Sequence, residues 1–381
     1  MQTQAPPASA WPSAAPSTFE QSDTRVTLQW EDGTTKAVNT VWLRDNCRCD
    51  ACRITQTGEH RYFLGQHAAL PTATAVDLLD GVLLIDWSDG HSSRYAPADF
   101  AAVAHVAARA HVGFEPWSDD YLPAQFAHHE VLSDHDVRLA FLEAVLRDGM
   151  ALVTEMPTES GECIRFLEAI EVPIRDTPFD RLHDVYFHAD GYNVAHTDEP
   201  LPPHNDFASY TWPPSGQLIH MLVNEVDGGD WVNVDGFKVL ADLRATNPGA
   251  IDVLARVPVA FREHSDSAES WTRAPLVRLD SRGDVTGLRF SNQLMQPIDP
   301  CDPELEAFYD AYHQLARLVN DPGNQIQFRG HAGTMQVLHA HRILHARRGF
   351  DGSSGSRHLQ DTYYEFDDLR SLHARMTGGA R

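Results

Sequence analysis

The sequence predicts a mainly β protein with flanking helices, in which a small N-terminal β domain precedes a larger second domain. The chain of 381 residues is too long for one compact core and suits two domains. Between residues 25 and 95, apolar and polar side chains alternate around Asp-Gly turns, which is typical of β-hairpins. After residue 131, short strand-like runs alternate with segments of helical periodicity, which adds the flanking helices.

The N-terminal domain is predicted over residues 21–110, after a tail of residues 1–20 whose Ala, Pro and Ser content indicates disorder. Alternate residues of its first strand are apolar and point to one face, and an Asp-Gly turn leads into the second strand. The predicted elements are strands at residues 25–30, 38–43, 75–76, 81–87 and 91–95, and a helix over residues 97–105.

Residues 111–130 are irregular and contain prolines, so they are predicted to link the N-terminal domain to the second domain, residues 131–381. In the second domain, a Ser-Asp pair at residues 133–134 is predicted to cap the first helix. The predicted elements here are helices at residues 133–147, 161–170 and 303–319 and a buried strand at residues 150–153.

The surface is strongly acidic, because 54 acidic residues outnumber 30 basic residues and give a formal net charge of −24. This charge argues against binding to nucleic-acid phosphates and against docking on an anionic membrane. No apolar run is long enough to span a bilayer, and the N-terminus lacks the basic start and apolar core of a secretory signal. We therefore expect a cytoplasmic protein with reduced thiols.

Three of the five cysteines, Cys47, Cys49 and Cys52, lie within six residues and form a Cys-x-Cys-x-x-Cys pattern. Thiolates at this spacing can bind one Zn(II), and His91, which follows an Asp-Gly turn, is the candidate fourth ligand. A site with four protein ligands has no open position, so its role would be structural. The alternative is a group of buried thiols without a metal.

A second group of candidate metal ligands begins with His204-x-Asp206 on a short extended segment. Three histidines that would share one face of a strand could complete the group: His339, His341 and His345. Two imidazoles and one carboxylate form the facial triad that holds Fe(II) and leaves positions open for O2 and a co-substrate. Arg357 could pair with the far carboxylate of an iron-bound keto acid such as 2-oxoglutarate. His-x-Asp alone is weak evidence in a chain with 21 histidines, but the full order favours an Fe(II)/2-oxoglutarate-dependent oxygenase.

Several motifs resemble those of one enzyme family, and the resemblance covers nearly everything from about residue 24 onward. The motifs are Trp-Leu-Arg-Asp-Asn-Cys at 42–47, Trp-Ser-Asp-Gly-His at 87–91, Asn-Val-Ala at 193–195, Gly-Gly-Asp at 228–230, Val-Asp-Gly-Phe at 234–237 and Ser-Arg-His-Leu at 356–359. They resemble the γ-butyrobetaine hydroxylase and trimethyllysine hydroxylase branch of the taurine-dioxygenase-like oxygenases. The resemblance implies a double-stranded β-helix (jelly roll) catalytic domain framed by helices, and a homodimer.

The resemblance also implies the ligands of both metals. His204, Asp206 and His345 would bind iron, and Arg357 would hold the 2-oxoglutarate carboxylate. His345 is preferred because its flanking residues resemble the family's motif, whereas His341 would lie behind the ligands or in the core. The family's structural zinc site maps onto Cys47, Cys49, Cys52 and His91.

For the substrate, the resemblance implies a small zwitterion whose trimethylammonium group lies in a cage of aromatic faces and is held by cation–π attraction. The preferred reaction is the hydroxylation of γ-butyrobetaine to carnitine. Asn193 and Asn292 would grip the carboxylate tail. The implied cage consists of Phe179 and Tyr363, with His183 and His196 at positions where the family tends to have aromatic residues.

Other functions stay open at this point. Asp180 or Asp184 could pair directly with an ammonium group, whereas Arg289 and His183 could favour an anion, as in 2-(trimethylammonio)ethylphosphonate or another betaine. A non-catalytic, zinc-stabilised jelly-roll binding protein is an alternative of another class, which the intact triad and Arg357 disfavour. A hydrolytic metalloenzyme would not need an arginine at that position.

Overall fold

The computed structural model describes residues 11–100, 114–178, 180–187, 194–264 and 268–378. The chain divides into two compact units, residues 1–113 and 114–381, and each has apolar cores of its own. Among the described residues, no helix combines the length and the apolarity needed to cross a bilayer.

The first unit is built from two small antiparallel sheets. Its elements are β1 (Thr18–Gln21), β2 (Arg25–Gln29), β3 (Thr35–Asn39), α1 (Thr40–Asp45), β4 (Ala73–Leu79), β5 (Val82–Trp87) and β6 (Ser92–Tyr95). The sheet orders are β1-β2-β3 and β4-β5-β6. Val26 and Leu28 of β2 are fully buried and pack in one cluster with Leu83 and Ile85 of β5, which confirms the alternation predicted for β2.

Two predictions for this unit are wrong in detail. The strand predicted over residues 38–43 stops at Asn39, whose Oδ1 accepts a hydrogen bond from the Trp42 amide at 3.1 Å and caps α1. Residues 18–20, which were assigned to a disordered tail, pair with β2. Residues 97–100 are helical as predicted, and the rest of that predicted helix lies outside the described residues.

The second unit combines two larger sheets with flanking helices. Its strands are β7 (Gln125–Ala127), β8 (Met150–Thr154), β9 (Ile174–Arg175), β10 (His183–Tyr186), β11 (Leu201–His204), β12 (Gly216–Asn224), β13 (Asp227–Gly228), β14 (Trp231–Asp235), β15 (Val259–His264), β16 (Glu269–Ala274), β17 (Val277–Leu279), β18 (Val285–Leu288), β19 (Gln325–Phe328), β20 (Thr334–His339), β21 (Ile343–Arg347), β22 (Phe350–Asp351) and β23 (Arg357–Tyr364). Its helices are α2 (His128–Ser133), α3 (His135–Asp148), α4 (Glu162–Ala169), α5 (Gly236–Thr246), α6 (Pro248–Arg256), α7 (Leu305–Asn320) and α8 (Phe366–Met376).

The two main sheets of this unit share one apolar core. The larger sheet has the order β10-β23-β12-β20-β8-β7, and the smaller has the order β11-β21-β14-β19. Met150, Ile219 and Leu338 of the larger sheet cluster with Trp231 and Ile343 of the smaller sheet. Burial of these apolar side chains is the main force that holds the two layers together. The mainly β fold with flanking helices is therefore confirmed.

The helices predicted in this unit lie close to their expected positions. α3 is capped by Asp134, whose carboxylate accepts hydrogen bonds from the Asp136 and Val137 amides, and it ends at Gly149 with a left-handed φ of 80°. α7 buries one face as predicted, although Tyr309, expected on that face, is 47% exposed.

Part of the predicted linker, residues 114–130, belongs to the sheet and core of the second unit. β7 pairs in parallel with β8 at the edge of the larger sheet. Trp117 is buried, and its Nε1 donates a hydrogen bond to the Asp148 carbonyl oxygen at 2.8 Å. A buried indole with a satisfied N–H fixes this segment, which its prolines had suggested was irregular.

Candidate metal centres and cavity

The first unit brings together the three cysteines and the histidine that the sequence singled out. From His91 Nε2, the Sγ atoms of Cys47, Cys49 and Cys52 lie at 3.3, 3.6 and 3.5 Å. A tetrahedral zinc ion with ordinary Zn–S and Zn–N distances places such ligand atoms roughly 3.5 Å apart. The four side chains therefore fit a closed, structural Zn(II) site.

Charged neighbours hold this cluster in place. The Asp89 carboxylate accepts a hydrogen bond from the His91 amide at 3.1 Å and another from Arg44 Nε at 2.8 Å. Arg44 also donates to Cys52 Sγ at 3.4 Å and lies over the Tyr62 ring. Burial raises the pKa of the Cys52 thiol to about 12, although Arg44 opposes this effect. A bound dication would favour the thiolate form and relieve that burial cost.

The second unit brings together His204, Asp206 and His345. Asp206 Oδ1 lies 3.3 Å from His204 Nε2 and 3.7 Å from His345 Nε2. Ligand atoms at neighbouring positions of an octahedral metal lie roughly 3 Å apart when each is about 2.1 Å from the ion. The three atoms therefore fit one face of a metal ion, with the opposite face free for other ligands.

The local fold explains why these three residues meet. β11 ends at His204, which is the antiparallel partner of His345 in β21, and the two rings lie 4.3 Å apart. Residues opposite each other in an antiparallel pair project to the same face of a sheet. Phe207 then has a left-handed φ of 53°, so the chain turns sharply just after Asp206 and keeps the carboxylate beside both rings.

Hydrogen bonds fix the orientation of the ligands. Asp206 Oδ2 accepts from Gln217 Nε2 and from the Tyr363 hydroxyl, each at 2.7 Å, so that Oδ1 is left to face the imidazoles. His204 Nδ1 lies 2.9 Å from the Pro202 carbonyl oxygen, which directs Nε2 toward the cluster. Burial alone would raise the pKa of Asp206, but His345, His204 and Tyr363 together hold it below its usual value.

The other two candidate histidines do not share a strand face with His345, so that expectation is wrong. β20 ends at His339 and β21 begins at Ile343, with a tight turn between them. His339 stacks on Phe366 with ring centroids 3.9 Å apart, and His341 Nε2 lies 3.1 Å from the Pro213 carbonyl oxygen. His339 thus packs in the core and His341 makes polar contacts, whereas His345 groups with His204 and Asp206.

The His/Asp/His cluster faces a cavity of about 390 Å³, a size that suits small ligands. Arg357 lines the same cavity and is buried, and its Nε has no hydrogen-bond partner among the described residues. Burial lowers the pKa of Arg357 to about 9. Among the described residues, no carboxylate lies at salt-bridge distance from this guanidinium, so an anionic ligand such as a keto acid would suit it.

Only some of the predicted substrate-binding residues line the cavity. His183 and Tyr363 line the cavity. His196 is buried with its ring 5.8 Å from that of His183, and its Nδ1 lies 3.0 Å from the Tyr186 carbonyl oxygen, so it lies behind the lining residues. Asn292 is exposed, and its Oδ1 accepts a hydrogen bond from the Tyr312 hydroxyl at 2.9 Å, away from the cavity. Phe179 and Asn193 lie outside the described residues.

Of the four polar residues that left other substrates open, His183 lines the cavity, whereas Asp180, Asp184 and Arg289 lie outside its lining. Asp184 accepts hydrogen bonds from His358 and Gln360 at 2.6 and 2.8 Å. Arg289 donates hydrogen bonds to the carbonyl oxygens of residues 208, 210 and 211, so its guanidinium is bonded to the local backbone and not to the cavity. Asp180 is exposed. These contacts weaken the case for an anionic phosphonate at Arg289.

Two carboxylates of the cavity lining, Asp361 and Glu263, were not predicted from the sequence. Asp361 could have been found, because it shares the two-residue period of β23 with Arg357 and Tyr363. Glu263 lies in the β15–β16 hairpin, and the sequence carries no signal that this hairpin reaches the cavity.

Comparisons with known proteins agree with this architecture. The family model described as "Taurine catabolism dioxygenase TauD, TfdA family" matches residues 112–363, and "Gamma-butyrobetaine hydroxylase-like, N-terminal" matches residues 17–98. A γ-butyrobetaine dioxygenase of Pseudomonas sp. (strain AK-1) is 33% identical over 91% of this chain and 92% of its own length. The human γ-butyrobetaine dioxygenase is 25% identical over 92% and 95%. A trimethyllysine dioxygenase of Meyerozyma guilliermondii is 24% identical over 91% and 92%.

Proposed function

Because the chain belongs to the TauD, TfdA family of dioxygenases, we propose that it hydroxylates γ-butyrobetaine to carnitine with Fe(II), 2-oxoglutarate and O2. The observation that carries this proposal is the shared cavity. The His/Asp/His cluster presents an open face to it, and the buried guanidinium of Arg357 lines it. An open metal face beside a buried cation suits a keto acid that chelates iron and anchors its far carboxylate.

Each residue of the site has a role in this proposal. His204, Asp206 and His345 would hold the iron, which supplies O2 activation coupled to the decarboxylation of 2-oxoglutarate. Arg357 would orient the co-substrate by a bidentate pair with its carboxylate. Tyr363 donates to Asp206 and so keeps one carboxylate oxygen directed at the metal. The apolar side chains of the cavity wall, such as those of Val185, Ile219 and Leu359, would exclude water from the reacting C–H bond.

The substrate contacts follow from the same cavity. His183 and Tyr363 would offer ring faces to the ammonium group, and we propose Phe179 as a further face. Asn193 would bind the carboxylate tail. His196 would act by supporting the His183 ring rather than by direct contact.

We also propose the finer features of the fold and the assembly. The Cys3His cluster of the first unit would hold structural Zn(II). The facing sheets of the second unit would form a double-stranded β-helix, and the shared apolar core supports this. The protein would be a homodimer that does not bind nucleic acids, in keeping with the net charge of −24.

Succinate formation tests the function. Protein loaded anaerobically with Fe(II) is mixed with O2, 2-oxoglutarate and one compound from a panel: γ-butyrobetaine, trimethyllysine, glycine betaine or 2-(trimethylammonio)ethylphosphonate. We expect γ-butyrobetaine to stimulate succinate formation most and to yield carnitine, detected by mass spectrometry. His204→Ala is the control, since it removes an iron ligand. Stimulation by another panel member alone would replace the substrate, and no turnover in iron-loaded protein would overturn the proposal.

A further inference from the structure

One face of β23 carries a carboxylate that the proposed function does not use. Arg357, Leu359, Asp361 and Tyr363 alternate along this strand and all line the cavity. Asp361 is 8% exposed, and its Oδ1 has no hydrogen-bond partner among the described residues. Its Oδ2 lies 3.8 Å from His183 Nδ1, which is a charge contact and too long for a hydrogen bond.

A buried carboxylate oxygen without a donor is costly, so its presence in a cavity wall points to a donor on the ligand. Burial raises the pKa of Asp361, and the neighbouring Asp206 adds to this effect, whereas His183 and Arg357 oppose it. A bound cation would favour the ionised form. Arg357 lies on the same strand face, but its partner in the proposed site is the co-substrate carboxylate.

A second carboxylate adds to the negative character of the cavity. Glu263 lines it and accepts a hydrogen bond from the Ser209 hydroxyl at 3.1 Å, but within the described ranges it has no Lys or Arg at salt-bridge distance. The two other arginines of the lining are occupied elsewhere. Arg262 pairs with Glu269 at 2.7 Å, and Arg347 donates to backbone carbonyl oxygens of residues 195–199.

We propose that Asp361 accepts a hydrogen bond from a substrate cation that carries at least one N–H. A quaternary ammonium group has no N–H and would leave Asp361 Oδ1 unsatisfied, whereas a dimethylammonium group supplies one donor and keeps the same charge. This inference rests on the proposed hydroxylase activity and refines its substrate class. Beside γ-butyrobetaine, the cavity would accept 4-(dimethylamino)butanoate or a similar partly methylated amino acid, whose N–H Asp361 would bind.

The test compares these two compounds, which share a carbon chain and differ in one methyl group. For each, kcat/KM is measured from succinate formation and from the hydroxylated product, and the ratio of dimethyl to trimethyl values is taken. We expect this ratio to fall by about tenfold or more from the wild type to Asp361→Ala, since a hydrogen bond to a charged group is lost for one compound only. Asp184→Ala is the matched control, because this carboxylate bonds to His358 and Gln360 away from the cavity.

The outcomes separate the two proposals. Turnover of neither compound would overturn the proposed function itself. Turnover of both, with the same ratio in the wild type, Asp361→Ala and Asp184→Ala, would overturn the role of Asp361 and leave the hydroxylase activity standing. If Asp361→Ala fails to fold, Asp361→Asn replaces it. The neutral amide oxygen is a weaker acceptor than a carboxylate, so the ratio should fall there as well, and an unchanged ratio counts against the inference.

Discussion

The two candidate metal clusters differ in how the chain supplies their ligands. In the first unit, three of four ligands come from residues 47–52, and the ligand set is closed. In the second unit, two ligands face each other across a strand pair, the third follows one strand, and the open side borders a cavity. From this difference we expect a loop cluster to depend on its metal for its shape, whereas a cluster on strands takes its shape from the sheet.

Removal of a zinc ligand should have the largest effect on stability. In Cys52→Ser we expect loss of zinc and unfolding of the first unit, because structural zinc binding contributes on the order of 10 kcal/mol. Zinc content and thermal unfolding, followed by fluorescence of the buried tryptophans of that unit, measure this. Cys301→Ser is the control, since Cys301 is exposed and isolated. Full zinc content and an unchanged unfolding temperature in Cys52→Ser would show that the cysteine cluster does not depend on this ligand or its metal for its shape.

Removal of an iron ligand should affect the chemistry and leave the fold intact. We expect His345→Ala to lower succinate formation by about 10³-fold or more, because the metal carries the reaction. The melting temperature should stay close to that of the wild type, because β21 keeps both of its strand neighbours. His313→Ala, on the exposed face of α7, is the control. Loss of the folded second unit in His345→Ala would show that this cluster also depends on its metal.

Substitution of Arg357 tests the buried guanidinium. Arg357→Lys keeps the positive charge but loses the planar fork, so we expect the KM for 2-oxoglutarate to rise about 10-fold to 100-fold. The KM for the hydroxylated substrate should change much less. Arg370→Lys provides the matched change, because Arg370 is an exposed residue of α8. An unchanged KM for 2-oxoglutarate would assign the co-substrate carboxylate to another residue.

Loss of the Tyr363 hydroxyl should give the smallest effect. Tyr363→Phe removes one of the two hydrogen bonds to Asp206 Oδ2 and retains the ring face, so iron affinity should fall about 10-fold. The measurement is an Fe(II) titration under anaerobic conditions. Tyr309→Phe is the control, because Tyr309 lies on the exposed face of α7. A fall in substrate affinity without a fall in iron affinity would indicate that the hydroxyl contacts the substrate.

The sequence predicted which residues group in the two candidate metal clusters, but it predicted the cavity lining poorly, for a physical reason. His204 and Asp206 are two residues apart, and three cysteines share one short loop, so local geometry nearly decides those contacts. Asn292 lies in a loop, where spacing does not determine which neighbour faces inward; Ser291 and Gln293 line the cavity instead. His339 was misplaced because the turn before Ile343 contains neither Gly nor Pro.

The alternation of β23 has a consequence for how this enzyme can evolve. Arg357, Asp361 and Tyr363 share one side of the strand, so each can be exchanged by a point mutation without moving the other two. Insertion or deletion of one residue between them would instead turn part of that set to the opposite side of the sheet. Among descendants of this sequence, position 361 should therefore diversify by substitution, while the length of the segment 357–363 should stay constant.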